Sequence, residues 1–261
     1  MKTLTIESQQ TQAKERRPGV IYRNIANAVS ILGIVPLPLL LLEDGYKFVI
    51  PLMIYNNIMD DLDGILAVKL GIQSEFGCIL DNVCDALAHA VFVMVIAMHH
   101  GVVCGAVSVV AILAIELRVV SRLRLGAAVA SGSPTNELVR HMLFILLLAG
   151  LAGVSAAPFL TVAFVLHTVS MLVTYRMPWL IRSMTKSATA IGLLNVALIM
   201  AWVVPYTTPV VAAAFILTYL YSFAWGAVSP ISRGTTGTHG LPTEPERIPE
   251  DESDDQAGCD Q

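Results

Sequence analysis

The sequence DDLDGILAVKLGIQSEFGCILDNVCD, from Asp60 to Asp85, carries five aspartates inside a chain that is otherwise strongly apolar. Of the 261 residues, 55% are hydrophobic and 14% are charged, and the mean hydropathy is +0.68. Soluble domains are about 45–50% apolar and about 25% charged, so this composition indicates a membrane protein. Carboxylates within a membrane segment are costly and usually face the bundle interior or a wet cavity. The stretch therefore predicts a functional site.

Apolar stretches of the length that a membrane helix needs, about 20 residues, recur on both sides of this segment. Turns rich in glycine, proline or charge separate them. We predict an all-α fold, a polytopic membrane helix bundle with about eight transmembrane helices. The predicted spans cover residues 24–43, 47–70, 77–99, 101–123, 137–154, 157–175, 187–205 and 207–228.

The chain divides into a polar N-terminal segment, residues 1–23, a membrane domain, residues 24–228, and an acidic tail, residues 229–261. The tail is rich in proline and carboxylates, a composition typical of disorder. In the eight-span arrangement, all of the 16 Lys and Arg except Lys47 fall on the side of the two termini. Because positively charged loops stay in the cytoplasm, we expect both termini there and the protein in the cytoplasmic (inner) membrane. No basic surface is indicated, so nucleic acid is not an expected partner.

The aspartates form two stripes when they are placed on helices. Asp60 and Asp63 are three residues apart, and Gly77, Asp81 and Asp85 repeat every four residues, so each set shares a helix face. The connection between the two helices is short, which favours antiparallel neighbours whose stripes face each other. We expect this site at the cytoplasmic membrane face.

Carboxylates held together in this way need compensating cations. Hard divalent ions such as Mg²⁺, Ca²⁺ or Mn²⁺ prefer carboxylate oxygens. Four aspartates suffice for a two-metal site that clamps a phosphoryl group. Asp61 is out of phase with the stripe, which predicts a carboxylate that faces solvent or supports the metal ligands from behind.

Together these residues form the pattern D-x2-D-G-x2-A-x9-G-x3-D-x3-D, which resembles the signature of the CDP-alcohol phosphotransferases, membrane enzymes of phospholipid headgroup synthesis. The family pattern is D-x2-D-G-x2-A-R-x8-G-x3-D-x3-D, and all fixed positions but one match with unchanged spacing. The matching residues are Asp60, Asp63, Gly64, Ala67, Gly77, Asp81 and Asp85. The segment IANAVSILGI resembles the family's entry segment PN-x2-T, with Asn27 and Ser30 in the corresponding places.

The resemblance implies a six-helix core, here with two further helices, and transfer of a phosphatidyl group from CDP-diacylglycerol to a small alcohol with release of CMP. It implies two Mg²⁺ or Mn²⁺ ions held by Asp60, Asp63 and Asp81, with Asp85 at the edge as a further ligand. Asp85 would also be the catalytic general base. A homodimer and contact with membrane lipid follow from the same resemblance.

The donor-binding residues implied by the resemblance are Gly64, Ala67 and Gly77. The family arginine after Ala67 is Val68 here, and Lys69 follows it. Lys69 is a candidate substitute, although it is turned about 100° around the helix from position 68. Valine in place of the family arginine affects the predicted binding of the donor, whereas the predicted metal ligands are all present.

The acceptor alcohol is less strongly indicated. The segment QSEFG and the alanine after Asp85 resemble phosphatidylserine synthases, so serine is favoured over inositol phosphate, glycerol phosphate or an amino alcohol. Candidate residues for binding an acceptor carboxylate or phosphate are Arg118, Arg122, Arg124 and Arg140. Anchoring at the cytoplasmic interface is the simpler explanation for such arginines.

Two other functions compete with this hypothesis. Ion transporters also place carboxylates on facing helices, but here the cluster lies near one membrane face and we find no inverted repeat. A catalytically inactive family member is the second alternative, and Val68 is its only support.

Overall fold

The computed structural model describes residues 22, 24–123, 134–172 and 187–228. Throughout this part of the chain the regular structure is helical, which confirms the predicted all-α polytopic bundle. The α-helices are α1 (Ile25–Ile34), α2 (Val49–Leu70), α3 (Glu75–His99), α4 (Val102–Leu123), α5 (Pro134–Ala152), α6 (Ala157–Leu172), α7 (Ala188–Val203) and α8 (Thr208–Val228). The predicted acidic tail and most of the N-terminal segment lie outside the described residues.

The first predicted span is not one continuous α-helix. α1 ends at Ile34, and two short 3₁₀ helices, Leu37–Leu41 and Gly45–Phe48, lead into α2. Pro36 and Pro38 explain the break, because proline lacks the backbone N–H that an α-helix needs and its ring clashes with the preceding turn.

Within the described residues, four helices are long and apolar enough to cross a membrane: Glu75–His99, Val102–Ser121, Pro134–Ala152 and Thr208–Trp225. The shorter apolar segments are Ile25–Leu41, Ala157–Leu172 and Ala188–Val203. Large apolar side chains such as Val102, Val110 and Leu113 are exposed, as lipid contact requires. These features identify a membrane protein. That the other helices also cross the membrane stays a prediction.

A tight turn joins α2 to α3 and positions the aspartate segment. α2 ends at Leu70, and Gly71 caps it with a φ of 61°, the left-handed conformation that glycine adopts readily. α3 begins after Ser74, whose Oγ accepts a hydrogen bond of 3.0 Å from the N–H of Gly77. The turn brings the start of α3 beside the end of α2, as the short connection predicted.

Helix α2 packs against α1, α3, α5 and α7. Phe92, Phe144 and Phe164 are fully buried in the apolar core of the bundle. His141 of α5 and His167 of α6 are also buried and share a hydrogen bond of 2.9 Å between Nδ1 and Nε2, and Tyr219 of α8 stacks on His167. The placement of α2 among four neighbours determines what each of its aspartates can contact.

Candidate functional site

Three carboxylates converge between α2 and α3. Asp60, Asp63 and Asp81 each offer one carboxylate oxygen, and these oxygens lie within 4.8 Å of one another. Asp63 is buried, and the other two are half-buried. A set of carboxylate oxygens this close fits one or more hard divalent cations, for which such oxygens are the preferred protein ligands.

Asp85 lies one turn further along α3 and does not belong to this group of three. Its carboxyl group is within hydrogen-bonding reach of the Asp60 carboxyl group, and it interacts electrostatically with Asp81 and Asp63. The fourth aspartate of the stripes therefore borders the cluster. A carboxylate in this position can accept a proton from a group bound next to the cluster.

Side chains from two other helices hold the ligand candidates on α2. Ser30 of α1 donates a hydrogen bond from Oγ to Oδ2 of Asp63. Asn136 of α5 donates from Nδ2 to Oδ2 of Asp60 over 2.9 Å. Hydrogen bonds of this kind orient metal-binding carboxylates, and the loss of one typically lowers metal affinity or activity by about 10–100-fold.

Asp61 points toward α7, away from the hydrogen-bond donors of Asp60 and Asp63. Its Oδ2 accepts hydrogen bonds of 2.6 Å from Nδ2 of Asn195 and 3.1 Å from Nδ2 of Asn57. Nε of Arg140 donates to Oδ1 of Asn57 over 3.1 Å. Of the two expectations for Asp61, the solvent-facing one was wrong, because the carboxylate is half-buried and hydrogen-bonded within the bundle. Support of the metal ligands from behind stays a prediction.

Arg140 itself is buried, with 9% of its surface exposed, and its Nη1 lies 3.2 Å from Oε1 of Glu137. His89, one turn beyond Asp85 on α3, is also buried and interacts electrostatically with Arg140. A layer of polar groups thus lies behind the carboxylate cluster, toward the interior of the bundle.

Residues 23–175, which include α1 to α6 and the whole carboxylate cluster, match the family described as CDP-alcohol phosphatidyltransferase. The chain belongs to this family. Its members are transferases that move a substituted phosphate group from a CDP-alcohol to an acceptor alcohol, so the protein is an enzyme of this class. No curated protein sequence matches the chain at a significant level. Family membership favours the enzyme over the ion transporter considered above.

The small residues of the family pattern lie on both helices of the cluster. Gly64 is half-buried on α2, directly after Asp63. Ala67 is half-buried near the end of α2. A Cβ at Gly77 would lie 2.9 Å from Oδ1 of Asn27, so the absence of a side chain allows α1 to approach α3. Donor binding by these three residues stays a prediction.

The predicted cationic residues are spread over the bundle. Val68, at the place of the family arginine, is 60% exposed, and Lys69 beside it is exposed as well. Arg118 is half-buried on α4. The side chain of Arg122 and the whole of Arg124 lie outside the described residues. Arg140 lies close to the aspartates of α2, because its Nε donates to Oδ1 of Asn57, whose Nδ2 donates to Asp61.

Sequence reasoning missed the contributions of Asn57, Asn195 and Glu137. A signal was present, because an amide or carboxyl side chain within an apolar helix usually marks contact with the bundle interior. Asn57 and Asn195 both interrupt apolar runs. Their partners could not be assigned from spacing, since they lie on different helices.

Proposed function

We propose that the protein transfers the phosphatidyl group of CDP-diacylglycerol to the hydroxyl group of a small alcohol, with serine favoured, and releases CMP. The observation that carries the proposal is the convergence of Asp60, Asp63 and Asp81 within 4.8 Å, with Asp85 at the edge, inside the family region. Inositol phosphate, glycerol phosphate and amino alcohols are the alternative acceptors.

In this proposal Asp60, Asp63 and Asp81 hold the metal, and Asp85 completes the set from the side of Asp60. Two bound Mg²⁺ or Mn²⁺ ions would neutralise the pyrophosphate of the donor. Ser30 and Asn136 keep the carboxylates of α2 in place through their hydrogen bonds.

Asp85 is the proposed general base. Its carboxylate takes the proton of the acceptor hydroxyl as the acceptor oxygen forms a bond to the β-phosphorus of the donor. The bond from that phosphorus to the oxygen of the CMP portion breaks, and CMP leaves with the bonding electron pair. The proton then passes from Asp85 to solvent.

Gly64, Ala67 and Gly77 form the proposed cytidine side of the site, with Lys69 at its rim. Arg140 is the acceptor-binding candidate for which the structure offers the most support, because it is buried beside the aspartate network. Arg118, Arg122 and Arg124 are proposed as further acceptor contacts.

The cellular setting is part of the same proposal. The membrane domain, residues 24–228, lies in the inner membrane with both termini in the cytoplasm. A homodimer is the assembly that we propose from the family resemblance.

The test follows CMP release from CDP-diacylglycerol by the purified full chain with Mn²⁺ or Mg²⁺, across serine, inositol phosphate, glycerol phosphate and small amino alcohols. We expect metal-dependent release with one acceptor, and a loss of about 10²–10⁴-fold in Asp85→Asn. Asp44→Asn is a matched control, because Asp44 is exposed and pairs only with Lys47 among the described residues.

Failure of every acceptor to release CMP would contradict the proposed reaction. If Asp85→Asn remains active, Asp85 is not the general base, but the proposed reaction is not contradicted.

A further inference from the structure

We infer that α7 is part of the catalytic unit, and that its Asn195 is a positioning residue that holds Asp61 next to the carboxylate cluster. Helix α7, Ala188–Val203, lies beyond the matched family region, which ends at residue 175. The helix packs against α2 and α8. The inference gives one of the two additional helices a role at the site itself.

The side-chain amide of Asn195 is engaged at both ends. Its Nδ2 donates to Oδ2 of Asp61 over 2.6 Å and to the backbone oxygen of Ile191 over 3.2 Å. Its Oδ1 accepts a hydrogen bond of 2.8 Å from Nδ2 of Asn57. Because donor and acceptor are both used, the amide has one defined orientation.

Asn57, Asp61 and Asn195 form a triangle of hydrogen bonds. Nδ2 of Asn57 lies within hydrogen-bonding distance of both Asn195 and Asp61, and its Oδ1 accepts from Arg140. Asn57 and Asp61 of α2 are thus hydrogen-bonded to Asn195 of α7. Arg140 connects α5 to the same network through Asn57. A closed network of this kind restricts each member more than a single hydrogen bond does.

The network acts on the ligand candidates through α2. Asp61 directly follows Asp60 in the chain and interacts with it electrostatically. With Asp61 tied to α7, the rotation of α2 about its axis is fixed, and so are the directions of Asp60 and Asp63. A helix that served only as an apolar anchor would gain nothing from an amide in this position.

The inference rests on the proposed metal site, so the test measures metal binding directly. The free Mn²⁺ signal in electron paramagnetic resonance gives the Kd of the purified full chain in detergent, and CMP release is followed in parallel. We expect Asn195→Ala to raise the Kd for Mn²⁺ by about tenfold, the lower end of the effect of removing a group that orients a metal ligand directly, because Asn195 acts on the ligand Asp60 through its neighbour Asp61. Val196→Ala, at an exposed neighbouring position of α7, is the control and should bind Mn²⁺ like the wild type.

An isosteric pair of variants covers the case in which Asn195→Ala does not fold. Asn195→Asp replaces the amide donor by a second acceptor beside Asp61 and should weaken Mn²⁺ binding at least as much. Asp61→Asn combined with Asn195→Asp restores one donor and one acceptor and should recover part of that loss. A double variant that binds no better than Asn195→Asp would overturn the inference.

Asp60→Asn separates this inference from the proposed function. If Asp60→Asn loses Mn²⁺ binding while Asn195→Ala keeps the wild-type Kd, the positioning role is wrong and the metal site stands. If the wild type binds no Mn²⁺, the proposed metal site is wrong, and the inference is overturned with it.

Discussion

Asp60, Asp61 and Asp63 lie within one turn of α2, yet each accepts a hydrogen bond from a different neighbouring helix. Successive residues of an α-helix are about 100° apart, so three nearby aspartates point in three directions. Asn136, Asn195 and Ser30 meet them from α5, α7 and α1 respectively. At the scale of single residues, the three carboxylates of α2 are each oriented by a neutral hydrogen-bond donor from another helix.

Ser30→Ala removes the donor to Asp63. We expect the Mn²⁺ concentration for half-maximal CMP release to rise by about tenfold or more, because an oriented carboxylate binds metal better than a free one. Ser30→Thr keeps the hydroxyl group and is the matched control. An unchanged Mn²⁺ dependence in Ser30→Ala would show that this hydrogen bond does not support the site.

Val68→Arg restores the cation of the family pattern at a position that is 60% exposed. One charge-assisted hydrogen bond of about 1.5 kcal/mol would lower the KM for CDP-diacylglycerol by about tenfold. Val68→Leu is the control for side-chain size. If Lys69 already supplies this contact, Lys69→Gln raises the same KM, and Val68→Arg changes it little.

At the scale of elements, the 3₁₀ segments between α1 and α2 replace part of the first predicted helix. They bring Tyr46 against the end of α3, where its ring stacks on His99 with centroids 3.5 Å apart. The Tyr46 hydroxyl lies 2.9 Å from Nε2 of His100. Burial raises the pKa of Tyr46 to about 12, so the hydroxyl stays protonated at neutral pH while it shares this hydrogen bond with the imidazole.

Gly45→Ala tests the packing of these segments. A Cβ at Gly45 would lie 2.5 Å from the backbone oxygen of Leu40, which cannot move without the whole 3₁₀ turn. We expect the free energy of unfolding to fall by about 1–3 kcal/mol, as overpacking usually costs. Gly192→Ala is the control, because a Cβ there meets nothing within 4 Å. Equal unfolding of the two variants in denaturant would contradict the prediction.

His100 makes stability depend on pH. Burial, and then the neighbouring charge of His99, lowers the pKa of His100 below its usual value of 6.5. The unfolded chain therefore takes up this proton first as the pH falls. The stabilisation is complete above about pH 6.5 and is lost as the pH falls from there toward the folded pKa.

Thermal unfolding of the wild type and His100→Gln between about pH 8 and pH 5 measures this effect. Glutamine does not titrate and can still accept a hydrogen bond from Tyr46. We expect the Tm of the wild type to fall more steeply toward low pH than that of the variant. If the Tm of the wild type and of the variant change in parallel with pH, His100 does not contribute to the pH dependence of stability.

At the scale of the whole molecule, the distribution of charge predicts orientation. All of the 16 Lys and Arg except Lys47 fall on one side of the eight-span arrangement. Green fluorescent protein fused to the C-terminus should fluoresce, and alkaline phosphatase fused there should be inactive, because both report a cytoplasmic location. The opposite result is expected for insertions between Asp44 and Lys47. An active phosphatase at the C-terminus would contradict the cytoplasmic C-terminus.

The sequence alone determined the helical class, most helix positions and the carboxylate stripes. These features follow from local patterns: apolar runs of membrane length, residues spaced three and four apart, and turns marked by glycine and serine. Family membership was accessible for the same reason, since the motif lies within two consecutive helices. The prolines that interrupt the first span were also visible, although their effect was not predicted.

Only the tertiary structure decided which groups surround the aspartates. Asp61 and Asn195 are far apart in the sequence, and no periodicity relates them. Their contact depends on how α7 packs against α2, which in turn depends on side-chain fit along both helices. Local patterns specify the face on which a polar residue lies, whereas the packing of the bundle specifies the residue that it meets.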